Sequence, residues 1–166
     1  MTKRNNYGWI GFFIFIVVAS AAGAGIMIWW SLELQMKPED FAAAKKRWQD
    51  ARIKNYNLDY KKRLNSEERW TNFSVKVRGG KVQEVLMDGK PLEKSAEADS
   101  DPRIYHSMDA QFSFIQRFLD IDQKPGAPRA YVSAVFDPAT GAVLHYVRRL
   151  MAQRVELDYR LEVLDK

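Results

Sequence analysis

Residues 155–163 read Val-Glu-Leu-Asp-Tyr-Arg-Leu-Glu-Val, and this strict alternation of apolar and charged residues decides the fold. A period of two places the apolar side chains on one face of an extended strand and the charged ones on the other. A strand of this kind belongs to a sheet that buries one face and exposes the other to water. The stretch therefore predicts a half-buried antiparallel sheet.

Similar strands are predicted earlier in the chain, and glycine-containing turns separate several of them. The strands are residues 56–61, 73–78, 81–87, 131–136 and 143–150, with a short piece around residues 91–92. Gly79-Gly80, Asp88-Gly89 and Asp137–Gly141 supply turns, because glycine accepts positive φ angles. Residues 131–136 are apolar on both faces, which is typical of a central strand.

One helix is predicted before each group of strands. Pro38 followed by acidic residues favours a helix start, and this helix is expected to end near Asn55. Ser107 is expected to cap the second helix. The second helix repeats apolar residues at helical spacing, namely Met108, Phe112, Ile115 and Leu119. The order α-βββ-α-βββ predicts an α+β fold, an antiparallel sheet with two helices packed on one face.

The N-terminal part of the chain has the character of a membrane anchor. Residues 7–32 carry no charge, and as a helix they would extend about 39 Å, more than the roughly 30 Å of a bilayer's hydrocarbon core. We therefore predict a tail at 1–6, a transmembrane helix at 7–32, a linker at 33–37 and a folded domain at 38–166. The alternative is a signal peptide cleaved near Ala21, but the apolar run continues past that point.

The flanking charges and the small residues of this segment predict its orientation and partners. Lys3 and Arg4 precede the span, which favours a cytoplasmic N-terminus and an extracytoplasmic domain on a single-pass protein of the cell membrane. Small residues recur four apart in the span, at Ala19 with Gly23 and at Ala21 with Gly25. Such spacing lets another helix approach closely. The expected partners are the lipid bilayer and another membrane protein.

Composition excludes several classes of partner and site. The net charge is +5, but 26 basic and 21 acidic residues are mixed along the chain rather than gathered in a basic stripe. We therefore expect no nucleic-acid partner. The chain has no cysteine, which excludes disulfides, thiolate zinc sites, cysteine nucleophiles and a lipid-attachment cysteine.

No group of residues makes a convincing catalytic or metal site. His106, Ser107 and Asp109 are neighbours, but neighbours in sequence rarely reach the geometry of a triad, and Ser107 fits a helix cap better. A loop rich in acids contains Glu93, Glu97, Asp99 and Asp101. It lacks the glycine and the closing glutamate of a calcium loop. We predict no catalytic residue, no cofactor and no metal.

Several motifs of the predicted domain carry a family resemblance. They are Tyr56-x-Leu58-x-Tyr60, Phe73-x-Val75-x-Val77-x-x-Gly80-Lys81-Val82, Phe112 with Ile115, and Phe136-Asp137-Pro138-x-x-Gly141. In these motifs residues 38–164 resemble a family of small bacterial envelope proteins known only as a domain of unknown function. The resemblance implies a secreted or lipid-anchored α+β domain, and so a location rather than an activity. The lipobox cysteine and the cysteine pair often present in that family are missing here.

Three functions are expected from these features, in decreasing order of support. The first is a membrane-anchored, non-enzymatic envelope protein that acts as an accessory or interaction subunit of a membrane complex. The alternative is an extracytoplasmic ligand- or peptide-binding sensor or inhibitor domain. Its groove is expected between the sheet and the second helix, near Tyr131, His145 and Arg148. An envelope hydrolase that uses His106 or His145 has the least support.

Overall fold

The computed structural model describes residues 9, 12–20, 23, 35–65, 67, 69–93 and 101–164. The chain divides into two compact units, Met1–Gln35 and Met36–Lys166. In the first unit residues 12–20 are helical. Most of the predicted transmembrane segment 7–32 and all of the tail 1–6 lie outside the described residues, so these assignments stay predictions. Within the described part of the chain, no helix is long and apolar enough to cross a bilayer.

The second unit is an α+β domain, as predicted. Its elements are α1 (Pro38–Ala51), β1 (Tyr56–Leu64), β2 (Thr71–Arg78), β3 (Lys81–Met87), β4 (Lys90–Pro91), a 3-10 helix (Pro102–His106), α2 (Met108–Asp122), β5 (Tyr131–Phe136), β6 (Val143–Leu150) and β7 (Gln153–Val163). The strands form one seven-stranded antiparallel sheet in the order β4-β3-β2-β1-β7-β6-β5. The predicted short piece around residues 91–92 corresponds to the two-residue strand β4, and the 3-10 helix is an addition to the predicted pattern.

The centre of the sheet is the pair β1 and β7. Their register runs from Tyr56 opposite Val163 to Leu64 opposite Val155. The apolar side chains of the two strands are buried at its middle, as at Leu58 and Leu157. The alternation that begins at Val155 therefore predicts correctly which face of β7 is buried.

The prediction that residues 131–136 form a central strand is wrong. β5 is the last strand of the sheet and pairs only with β6 among the described strands. Its free edge receives a hydrogen bond from the Met36 N–H to the Val132 carbonyl, at 2.8 Å. Val135 on this strand is 51% exposed. A strand that is apolar on both faces can still lie at the edge of a sheet. Its side chains cover the two faces, whereas neighbouring strands bind to its backbone at the two edges.

Both α-helices contact the face of the sheet that carries the aromatic side chains. Trp48 of α1 packs edge-on against Tyr56, with ring centroids 5.5 Å apart. Its indole N–H donates to the Asp109 carboxylate of α2 at 3.1 Å. Met108 of α2 donates its backbone N–H to the Tyr56 hydroxyl at 3.0 Å. α1 ends at Ala51, earlier than predicted, because Arg52 adopts a left-handed conformation (φ 49°).

The turn between β5 and β6 lies directly against α1. Thr140 donates its backbone N–H and its hydroxyl to the Asp137 carboxylate, and the Thr140 hydroxyl is the main reason that the pKa of Asp137 lies below its usual range. Gly141 has φ +80°, and a Cβ there would lie 2.2 Å from the carbonyl oxygen of Ala44. Glycine at this position therefore permits both the turn and the close approach of α1.

Gly141→Ala should lower the free energy of unfolding by about 3 kcal/mol or more. The added methyl group would overlap with α1, and alanine is also strained in a left-handed conformation. Gly89→Ala is a matched control, since Gly89 has φ +79° and no atom within 4 Å of a built Cβ. The control should lose only about 1–2 kcal/mol. Urea unfolding of the full chain measures both losses. Equal losses in the two variants would contradict the close approach.

Candidate functional site

A groove of about 500 Å³ opens between the sheet and α2. Strand residues Tyr60, Lys62, Phe73 and Leu157 form one wall, and the 3-10 helix adds Ile104, Tyr105 and His106. From α2 it is lined by Ala110, Gln111, Ser113, Phe114 and Arg117. Four of these, at 110, 113, 114 and 117, recur at the spacing of one helix face, so α2 presents a continuous stripe to the groove.

Tyr60 and His106 are hydrogen-bonded in this groove. The Tyr60 hydroxyl oxygen lies 2.6 Å from Nδ1 of His106. Burial raises the pKa of Tyr60 well above its usual value, so the phenol stays neutral. A neutral phenol both donates and accepts hydrogen bonds, so Nε2 of His106 is a donor in one tautomer of the ring and an acceptor in the other.

The protonation of His106 follows from its surroundings. Burial, and then the positive charge of Lys62, lowers the pKa of His106 below its ordinary value. The ring is therefore neutral at pH 7. His106 thus contributes no charge to the site.

The acceptors in the wall of the groove are already engaged. Tyr159 donates its hydroxyl to Oε1 of Gln111 at 2.9 Å, and Nε2 of Gln111 donates to the Tyr105 carbonyl at 3.1 Å. The Ser113 hydroxyl donates to the Asp109 carbonyl at 2.9 Å. The polar groups left for a bound molecule are therefore mainly donors and cations.

The charged residues of the groove are all positive. Lys62 lies two residues after Tyr60 on β1, and its ammonium is 5.6 Å from the centroid of the Phe114 ring. Arg117 is exposed and lies three residues after Phe114 on α2. Among the described residues, no aspartate or glutamate lines this groove. The groove therefore has a positive electrostatic potential that favours a negatively charged group.

The three neighbours considered for catalysis point to different partners. His106 bonds to Tyr60, and Asp109 accepts from Trp48. Ser107 accepts the N–H of Ala110 at 3.2 Å, which confirms the predicted helix cap. Their side chains are thus not brought together as a triad.

The acidic loop considered for calcium lies mostly outside the described residues, which include Glu93 and Asp101 but not Glu97 or Asp99. Asp101 forms an ion pair with Arg103 at 2.6 Å. In the part of the chain that the structure describes, no group of three or more acids or histidines could hold a metal ion.

The residues predicted to form the groove do not meet. Arg148 is buried on the helix side, where its guanidinium forms two hydrogen bonds to Asp122, at 2.5 and 2.8 Å. His145 bonds to Asp158 on the opposite face of the sheet. Tyr131 stands opposite Arg149 on the edge strand, on the same side as His145. The reason is that successive side chains of a strand point to opposite faces of the sheet. Residues 145 and 148 are three apart, so their side chains lie on opposite faces.

A shallower depression of about 270 Å³ lies near this second face and includes Lys61, Asp158 and Arg160. Lys61 pairs with Asp158 at 3.2 Å. Its lining thus contains both signs of charge, in contrast to the groove beside α2.

The small residues proposed for helix packing lie in the first unit. Ala19 and Gly23 are helical and exposed, and a Cβ built on Gly23 meets no atom within 4 Å. Ala21 and Gly25 lie outside the described residues. Packing of another helix on this face stays a prediction.

Sequence reasoning considered His106 only as a catalytic candidate and missed its groove partners. One signal was present in the alternation of β1. The buried face of β1 carries Tyr56, Leu58 and Tyr60, and Lys62 lies on the same face two residues after Tyr60. A lysine at a core-face position interrupts the apolar series, which resumes at Leu64. No comparable pattern in the sequence indicated that the residues of the 3-10 helix line the groove.

Comparison with known proteins gives one match. The family of unknown function (DUF6174) matches residues 40–142. The matched region contains every described residue that lines the groove except Leu157. No curated protein and no solved structure matches the chain. The expected resemblance to a domain of unknown function is confirmed, while a bacterial envelope origin stays a prediction.

The chain has two histidines, so NMR titration of the imidazole signals can be assigned with a His145→Gln variant. We expect His106 to titrate below 6.5, because its protonation would bury a charge beside Lys62. The unfolded chain takes up this proton at a higher pH than the folded chain does. Stability should therefore fall as the pH drops below about 6.5 and level off below the folded pKa. A pKa of 6.5 or more for His106 would contradict the described environment.

Proposed function

The chain belongs to this family of unknown function, and we propose that it is a membrane-anchored, non-enzymatic protein whose groove beside α2 binds a small ligand. The observation that carries the proposal is the groove itself. Its volume of about 500 Å³ falls within the range of small-molecule sites, roughly 300–1,000 Å³. Apolar walls combined with a few convergent polar groups are the usual composition of such sites.

The chemistry of the polar groups favours binding over catalysis. Nδ1 of His106 is hydrogen-bonded to the Tyr60 hydroxyl, and the described lining holds no carboxylate that could pair with the ring as in a catalytic dyad. Gln111 is held from both ends by Tyr159 and the Tyr105 carbonyl. Side chains locked in this way are suited to fixing the position of a ligand.

Anchoring places this binding domain at a membrane. The uncharged run 7–32 supports a single span, with the tail 1–6 in the cytoplasm and the domain 38–166 outside. A receptor or sensor domain tethered in this way samples the solution next to the lipid surface. Residues 33–37 would serve as the linker.

Ligand binding can be tested by thermal unfolding of the full chain in detergent, against a panel of small acids, amines, alcohols, sugars and short peptides. A compound at 100 times its Kd stabilises the folded state by about 2.7 kcal/mol, which raises Tm by several degrees. Ala110→Trp and Ser113→Trp should abolish this rise, because both positions line the groove. Ala152→Trp, at an exposed position in the β6–β7 turn, is the control.

Two results would reject this function. One is that no class of compound raises the Tm of the wild-type chain. The other is that the rise persists undiminished in both groove variants, because the ligand would then be bound elsewhere.

A second function, an accessory subunit of a membrane complex, is supported by the helical and exposed pair Ala19 and Gly23. In native membranes washed with alkaline carbonate, the wild-type chain should stay in the pellet with its partner. Gly23→Leu with Gly25→Leu should stay in the pellet but lose co-purification in mild detergent, because the larger side chains separate the helices. Val17→Leu with Val18→Leu is the control. Release of the wild-type chain by carbonate would refute the anchor, and unchanged co-purification would refute this contact.

A further inference from the structure

The geometry points to a small amphipathic acid as the occupant of the groove, with its carboxylate at Lys62 and Arg117 and its apolar body beside Phe73 and Ile104. This inference rests on the proposed binding function and names the class of ligand. It follows from how the lining residues are distributed along the groove, which has an aromatic end beside the 3-10 helix and cations at its middle and its far end.

The stripe on α2 sets the direction and the length of the groove. Ala110 and Arg117 line it and are seven residues apart, which corresponds to about 10 Å along a helix axis. Ala110 lies next to the 3-10 helix, whereas Arg117 lies two turns away from it. Lys62 stands opposite Phe114, which comes one turn before Arg117, and its charge also acts on His106 of the 3-10 helix. Lys62 therefore lies in the middle of the groove, and Arg117 lies at the end far from the 3-10 helix.

The other end is apolar and aromatic. Phe73 stacks on Tyr60 with ring centroids 4.7 Å apart, and its ring lies 5.0 Å from that of His106. Ile104 and Tyr105 line the same end and are exposed. An aromatic ring or a short alkyl chain would cover this exposed apolar surface and remove it from water.

The donors of the groove explain why the head group should be an anion. Lys62 and Arg117 both offer protons and positive charge, and the wall provides no described carboxylate. A carboxylate accepts several hydrogen bonds at once and gains most from charged donors. An ammonium group would be repelled by both cations.

The same hydrogen bonds argue for a free acid rather than a peptide. A bound peptide brings backbone N–H groups that need acceptors. The Tyr105 carbonyl and Oε1 of Gln111 each accept one hydrogen bond already, and a carbonyl oxygen has only two lone pairs. Few acceptors therefore remain for the several amide hydrogens of a peptide, and each amide left unpaired costs free energy.

The test is calorimetric titration of the full chain in detergent with three probes of one shape, 5-phenylvalerate, 5-phenylpentanol and 5-phenylpentylamine. We expect the acid to bind at least about tenfold more tightly than the alcohol, since a charge-assisted hydrogen bond contributes about that factor. The amine should bind more weakly still. Two acetylated peptides that end in phenylalanine, one with a free carboxylate and one with an amide, should bind more weakly than the acid.

Variants connect the preference to the two cations. Lys62→Gln and Arg117→Gln should each lower the affinity for the acid about five- to tenfold and leave the affinity for the alcohol unchanged. A general loss of structure would lower both affinities. Lys90→Gln, at an exposed position on β4, is the matched control and should change neither affinity. Circular dichroism of each variant checks that the fold is intact.

The outcomes separate the ligand class from the binding function. If the acid, the alcohol and the amine bind equally and Ser113→Trp abolishes all three, the groove binds ligands but the assignment of an acid is wrong. If none of the three binds while other compounds in the thermal panel do, the assignment also fails and the binding function stands. If the free-carboxylate peptide binds more tightly than 5-phenylvalerate, the occupant is a peptide end and the small acid is rejected.

Discussion

The antiparallel pairing of β1 with β7 is the interaction on which the rest of the domain depends. Strands β1–β4 form one meander and β5–β7 another, and among the described strands only this pairing joins them into one sheet. A meander of three strands alone has too little apolar area to bury both helices. The same pairing sets Lys62 beside Leu157 and Tyr60 beside Tyr159, and so builds the sheet wall of the groove.

The charges on the other face of the sheet specify the register of this pair. Lys61 lies opposite Asp158, and Arg63 lies opposite Glu156. A slip of one residue would turn the aromatic face toward water. A slip of two would keep that face buried but set like charges opposite each other, Lys61 against Arg160 in one direction and Asp59 against Asp158 in the other. The pairs add little net stability at the surface, but they exclude the wrong alignments.

The groove lies where Lys62 interrupts the apolar core face of β1. Tyr56 and Leu58 belong to a closed core that Trp48 and Phe112 cover, whereas Lys62 and Arg117 leave the next stretch open. Tyr60 sits at the boundary and is satisfied by His106. A cation at a core-facing position departs from the pattern of the strand without any gain in packing, and such departures are expected where a protein binds something.

The sequence by itself determined the local elements. Period two found β1, β2 and β7, whereas apolar runs bounded by turns found β3, β5 and β6. Proline and serine marked the starts of α1 and α2. Gly141 marked a turn, but not its closeness to α1. Tertiary structure alone decided that β5 lies at the edge, that β1 meets β7, and that His106 meets Tyr60. The physical reason is that periodicity reports which side of an element is buried, whereas strand order and grooves depend on which distant surfaces pack together. Residues 145 and 148 show the limit, because they are close in sequence yet lie on opposite faces of the sheet.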